Sequence, residues 1–313
     1  MKRFLLTISV FVLVFLGIIL ISLIFIPNQK IIGNSLYANM DKHNRLDSLP
    51  SPKIVFVGGS NLGFGLDCKT IEEKTGLPVV NMGLHAGFGL KFPINEVKHA
   101  VNEGDIVVFS PVYEWLSSDM VYGEKVLVAL LFDVDRKNLK HVDFKQAVHL
   151  IPGMMSYAVS KLFPTTLDVM QGDGYGYEVV YKRESFNEYG DEVMHWTWEN
   201  QYIANPADTS QVNSKISKKA LSLVADFKNF TEKQGAAFYI IPPAFRYSNS
   251  LNSRNLIKNI EDQLSEKGIN FAITPENCNI ADSLFFNTAY HLNKQGVDIY
   301  TEMILDRIFN KNE

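Results

Sequence analysis

Lys53-Ile54-Val55-Phe56-Val57-Gly58-Gly59-Ser60-Asn61 is the stretch on which the fold turns. An apolar, β-branched run that stops at two glycines and a serine reads as a buried strand of a parallel sheet. Open α/β sheets bind their ligands just beyond the carboxyl ends of their strands. A serine on a glycine turn at that place exposes its hydroxyl at the rim of the sheet. Ser60 is therefore a candidate nucleophile.

Working outward, the pattern repeats. Lys69 to Lys74 reads as a short helix ended by Gly76, Leu77 to Asn81 as a second strand, and Leu90 to Val101 as a helix ended by Gly104. Asp105 to Pro111 is a third, strongly apolar strand. Strands alternating with helices over short links predict an α/β fold, a parallel sheet flanked by helices. From residue 112 to 206 the alternation breaks, which predicts an insertion after the third strand. Val126 to Phe132 and Phe144 to Leu162 read as helical there, with Pro152-Gly153 interrupting the second. Gln171 to Asn200 is rich in Gly, Tyr, Glu and Trp, aromatics that suit either stacking on sugar rings or a small core of their own. The repeat then resumes. It has a helix over Asn213–Gln234, a strand over Ala236–Pro243, a helix over Asn255–Lys267, a short fifth strand over Asn270–Thr274 and a last helix over Asn293–Phe309.

Phe4 to Ile26 carries no charge and spans roughly 34 Å as a helix, enough for the hydrocarbon core of a bilayer. Its bulky end, Ile24-Phe25-Ile26-Pro27, lacks the small residues of a cleavage site, so it reads as an uncleaved signal anchor. Lys2 and Arg3 ahead of it predict a single-pass protein with a cytoplasmic amino terminus and a periplasmic or extracellular body. The expected organisation is anchor 1–27, a stalk or amphipathic lead-in 28–52, and one domain 53–313 carrying insertion 112–206. At 313 residues the chain can bury a sizeable core, and its formal net charge of −4 gives no footprint for nucleic acid. Cys68 and Cys278 are too few for a disulfide scaffold, and read equally as a pair or as two buried thiols.

A free serine hydroxyl is a poor nucleophile and needs a base, itself oriented by a third group. His291, in a loop ahead of the last helix, is the best placed of seven histidines. No histidine pair has helix-face ligand spacing, and the cysteines stand alone, so no metal is expected. The segment after the first strand lacks G-x-G-x-x-G and an acidic partner, which argues against a dinucleotide and leaves no expected cofactor.

Gly58-Gly59-Ser60-Asn61 after the first strand, Asn81-Met82-Gly83 after the second, and Asn287-Thr288-Ala289-Tyr290-His291-Leu292-Asn293 before the last helix together resemble the SGNH (GDSL-like) hydrolase superfamily. The resemblance runs from Lys53 to Asp306 apart from the insertion. It implies a three-layer, flavodoxin-like sheet, with Ser60 as nucleophile, His291 as base, and the amides of Ser60 and Gly83 in the oxyanion hole. Membrane-tethered relatives add or remove acetyl groups on envelope polysaccharides. The resemblance thus implies an acyl esterase or O-acetyltransferase acting on an acylated glycan, supplied in the transfer case by a membrane acyl-donor protein.

Three positions depart from the family pattern. Gly59 stands where an aspartate is usual, Ser110-Pro111-Val112-Tyr113-Glu114 offers no third-block asparagine, and Asn287 stands where the last block carries aspartate. A backbone carbonyl, Asp282 or Glu114 is left to orient His291. Asn61 and Asn81 are expected to orient the serine loop or to cap helices. His85 lies on the same rim, and His195 and Asp191 lie in the insertion as candidate substrate contacts. These departures also leave an alternative, a catalytically inactive, glycan-binding scaffold for a modifying partner.

Overall fold

The computed structural model describes residues 1–117, 120–163, 180–198 and 216–310. Its first element is the apolar helix α1 (Lys2–Phe25), exposed over most of its length. Helix α2 (Ala38–Ser48) follows, then the strand β1 (Ile54–Gly58), the single turn α3 (Ser60–Gly63) and α4 (Cys68–Thr75). β2 (Val79–Asn81), α5 (Lys91–Val97) and β3 (Ile106–Ser110) complete the first half. Beyond β3 lie α6 (Tyr113–Ser117), α7 (Lys125–Ala129) and α8 (Phe144–Leu162). The second half holds α9 (Lys218–Lys233), β4 (Ala237–Ile240), β5 (Phe245–Arg246), α10 (Tyr247–Ser265), β6 (Asn279–Ile280) and α11 (Lys294–Ile304).

β1 to β4 form one parallel sheet in the order β2-β1-β3-β4. β1 is buried throughout, because its residues alternate between two cores. Ile54 and Phe56 face α4 and α11 through Cys68, Ile71, Val297, Tyr300 and Ile304. Val55 and Val57 face α5, α9 and α10 through Ile94, Val97, Val224, Phe227 and Ile260. The two cores lie on opposite faces, so helix, sheet and helix make three layers. A third core joins the end of α1 to α7, α8 and the residues leading into α5.

The structure corrects several sequence expectations. Residues 28–52 are not a free stalk: α2 packs against the body with Ala38, Asn39, Lys42 and Leu46 buried. The fifth strand reduces to a single bridge between Phe271 and Ile240, and an unexpected pair, β5 with β6, forms a second small parallel sheet. α8 runs unbroken through Pro152, and α10 begins at Tyr247, ahead of the expected Asn255. Cys68 and Cys278 are both free and buried. The expected end of α4 at Gly76 holds: the glycine takes the left-handed conformation, φ +70°, and closes the helix.

Candidate active site

The order of the sheet fixes where a ligand can sit. The strands are laid down outward in one direction from β1 to β2 and in the other from β1 to β3 and β4, and crevices in open α/β sheets open at the carboxyl ends of the pair where that order reverses, β1 and β3. Gly58 ends β1 in register with Ser110, which ends β3. Ser60 follows two residues later as the first residue of α3. Asn61 ties this turn to β3: its Oδ1 accepts the Gly59 N–H at 3.0 Å, and its Nδ2 donates to Ser110 O and Oγ at 3.2 and 3.1 Å.

His291 meets Ser60 from the far end of the chain, with Nε2 2.9 Å from the serine Oγ. The other ring nitrogen, Nδ1, lies 2.8 Å from Asn287 Oδ1. Asn287 Nδ2 donates to Tyr181 OH at 2.9 Å, which turns Oδ1 toward the ring. An amide oxygen only accepts, so His291 carries its proton on Nδ1 and offers the Nε2 lone pair to the serine hydroxyl. Phe64 stacks on the imidazole at 4.0 Å between centroids and 6° between planes. His291 is 6 % exposed, and among the described residues no carboxylate hydrogen-bonds to it. Burial, with His195 and His85 nearby, holds its pKa down at about 3, so the ring is neutral at ordinary pH.

Asn287 thus occupies the orienting position, and neither proposed carboxylate does. Asp282 accepts the Ser248 N–H at 3.0 Å and is half exposed. Glu114 accepts the Tyr290 hydroxyl at 2.8 Å, one residue from the histidine, and burial raises its pKa. Gly83 is also corrected as an oxyanion donor, because its N–H already donates to Asn81 Oδ1 at 2.9 Å. Asn81 Nδ2 in turn binds Leu62 O and Asp191 Oδ1, each at 2.8 Å, so Asn81 braces α3 from below. Gly83 is nonetheless required: a Cβ there would lie 2.6 Å from Gly59 O. Among the described residues, the Ser60 and Ala86 N–H groups have no acceptor. Ala86 lies close by, since a Cβ on Gly59 would sit 3.5 Å from its nitrogen.

His85 stays on the rim, exposed, with Nδ1 accepting the Gly87 N–H at 2.9 Å. His195 and Asp191 are internal rather than substrate contacts. Asp191 is fully buried and accepts the Cys68 N–H at 2.8 Å. His195 is clasped between Glu192 and the carbonyl of Leu292, the residue after the candidate base. The described aromatics of the 171–200 stretch pack inward. Phe186 joins the third core, Tyr189 and Trp196 the core under α11, and Tyr181 and Trp198 a small cluster with Phe64 and Phe286. Residues 171–179 and 199–200 of the aromatic-rich stretch lie outside the described residues.

Lys42, Phe64, Tyr181 and Ala86 all touch this arrangement, and nothing in the sequence singles them out. The nearest signal was the Gly-Tyr-rich composition around Tyr181, which does not say which tyrosine turns inward. No group of metal-ligating side chains occurs among the described residues. The chain matches no protein-family model, and a search of curated proteins finds no match.

Proposed function

We propose that this chain is a membrane-anchored, SGNH-like serine acyl esterase or O-acetyltransferase acting on an acylated cell-envelope polysaccharide outside the cytoplasm. The observation that carries the reading is the Ser60 Oγ–His291 Nε2 contact of 2.9 Å at the carboxyl end of β1. Ser60 Oγ attacks the acyl carbon while His291 Nε2 takes its proton. The free amides of Ser60 and Ala86 receive the oxyanion, in place of the Gly83 amide that the family resemblance implied. Collapse of the tetrahedral intermediate breaks the bond to the leaving alcohol oxygen, which accepts from His291 the proton taken from Ser60. Water or a sugar hydroxyl then attacks the acyl-enzyme and completes hydrolysis or transfer. For transfer, a membrane acyl-donor protein supplies the acyl group, and no cofactor enters any step.

Asn287 in the carboxylate position favours a second reading, a catalytically silent glycan-binding scaffold. One experiment separates the two. The full chain, purified in detergent, is assayed with p-nitrophenyl acetate beside Ser60→Ala and His291→Ala. Turnover by the wild type that falls to background in both variants supports the enzyme. Wild-type turnover equal to that of the variants, with and without added glycan acceptor, supports the scaffold.

A further inference from the structure

α8 presents an apolar stripe to solvent. Phe144, Val148, Ile151, Met155, Val159 and Phe163 are between 37 % and 86 % exposed. Their spacing places them along one face of the helix, opposite the buried Gln146, Leu150 and Tyr157. A helix already packed on a protein usually turns such a face inward, so an outward one marks a contact still to be made. Phe144–Leu162 contains no acidic residue and carries Lys145 and Lys161.

The neighbour of this stripe says what covers it. α8 packs along the last turns of α1, where Ile19, Ser22 and Leu23 are buried. Ser22 Oγ donates to Ala158 O at 2.8 Å, and Lys161 Nζ donates to Leu23 O at 3.2 Å. Lys161 also pairs with Asp133 at 2.8 Å with almost no exposure, and the Arg136 guanidinium donates to Ile24 O, so the joint is rigid. A hydrocarbon core about 30 Å thick takes roughly 20 helical residues, which counted from Phe4 end at Leu23. The body therefore first touches α1 within about 6 Å of the outer edge of that core, the depth at which interfacial amphipathic helices lie.

We infer that α8 is an interfacial helix whose stripe from Phe144 to Phe163 inserts into the lipid surface beside α1 and seats the domain on the bilayer. The inference rests on α1 spanning that bilayer. It is tested with the full chain in vesicles of phosphatidylcholine and phosphatidylglycerol. An environment-sensitive fluorophore is attached through a cysteine placed at Ile151, Met155, Val12 or Ile299, and doxyl-labelled lipid is the quencher. The native thiols are buried and do not compete for label. Val12 reports on α1, and Ile299, exposed on α11 over the opposite face of the sheet, reports on a surface away from lipid. Labels at Ile151 and Met155 are expected to be quenched along with the label at Val12, most strongly by doxyl groups placed near the headgroups, with no loss at Ile299. Quenching at Val12 alone overturns the inference and leaves the anchor standing. No quenching at Val12 overturns both. Blue-shifted, unquenched labels at Ile151 and Met155 also overturn it, and assign the stripe to a protein partner or a second copy.

Discussion

In the proposed reaction, Asn287 decides how good a base His291 can be. Its amide oxygen holds the tautomer that presents a lone pair to Ser60, but it offers no negative charge to the imidazolium formed when the serine gives up its proton. With burial holding His291 at about 3, the acid limb of any rate profile belongs near that pH. Asn287→Asp is expected to raise kcat/KM, within the roughly 10⁴-fold that the reverse exchange costs in a serine-protease triad, and to move the acid limb upward. Steady-state kinetics from pH 3 to 8 on both proteins check it, and an unchanged limb with an unchanged rate refutes it. At this scale Ser60 and His291 were readable because each sits beside a glycine turn or a helix start that marks a strand end. Tyr181 was not, because the contact joins it to Asn287 across 106 residues and leaves no local pattern.

At the scale of elements, Lys42 ties α2 to the strand ends beneath the site. Lys42 is 2 % exposed and donates to Asn81 O and Gly83 O, each at 2.8 Å, and also to Gly190 O. Burial lowers its pKa to about 8, while three carbonyls facing three N–H bonds favour the ammonium. Lys42→Met leaves those carbonyls without a donor and is expected to cost on the order of 3 kcal/mol, read as a lower urea midpoint at unchanged slope. The same clamp accounts for the misread stalk. A polar stretch with one deeply buried lysine has the composition of a linker, and only the fold supplies the carbonyls. β1 and β3 were plain in the sequence as apolar runs closed by glycine or proline. The start of α10 was hidden by buried polar residues, Asn249, Ser250 and Ser253, which blur its apolar face. Pro152 removes one bond of the helical ladder, and α8 continues through it with the full turns on either side intact.

For the whole molecule, the histidines set a pH response. His141 and His291 are both buried, with pKa values lowered from 6.5 to about 4 and about 3. Between 6.5 and those values the unfolded chain takes protons that the folded chain refuses. The stability they lend is complete above 6.5 and drains away as the pH falls. His43 runs the other way: against its burial, Glu96 at 3.1 Å raises it, so its contribution is present in acid and lost as the pH rises. His85, like His141, is lowered to about 4, while burial raises the pKa values of the Glu114, Asp191 and Glu192 carboxyls, which add stability as the pH falls. The histidine share is isolated in His141→Phe, whose urea midpoint is expected to fall less from pH 7 to 4 than that of the wild type; an equal or larger fall contradicts the assignment. The α/β class and the apolar amino-terminal helix were legible here because both are written as long periodic or uncharged runs. The packing of the insertion was not, since its aromatics carry no period.

Ser60 and His291 stand 231 residues apart. A ribosome making roughly 5 to 20 residues each second delivers the histidine on the order of ten to fifty seconds after the serine. The apolar helix emerges before either. A nascent or prematurely terminated chain thus carries the apolar helix while lacking half of the pair, so Ser60 and His291 come together only as synthesis nears its end.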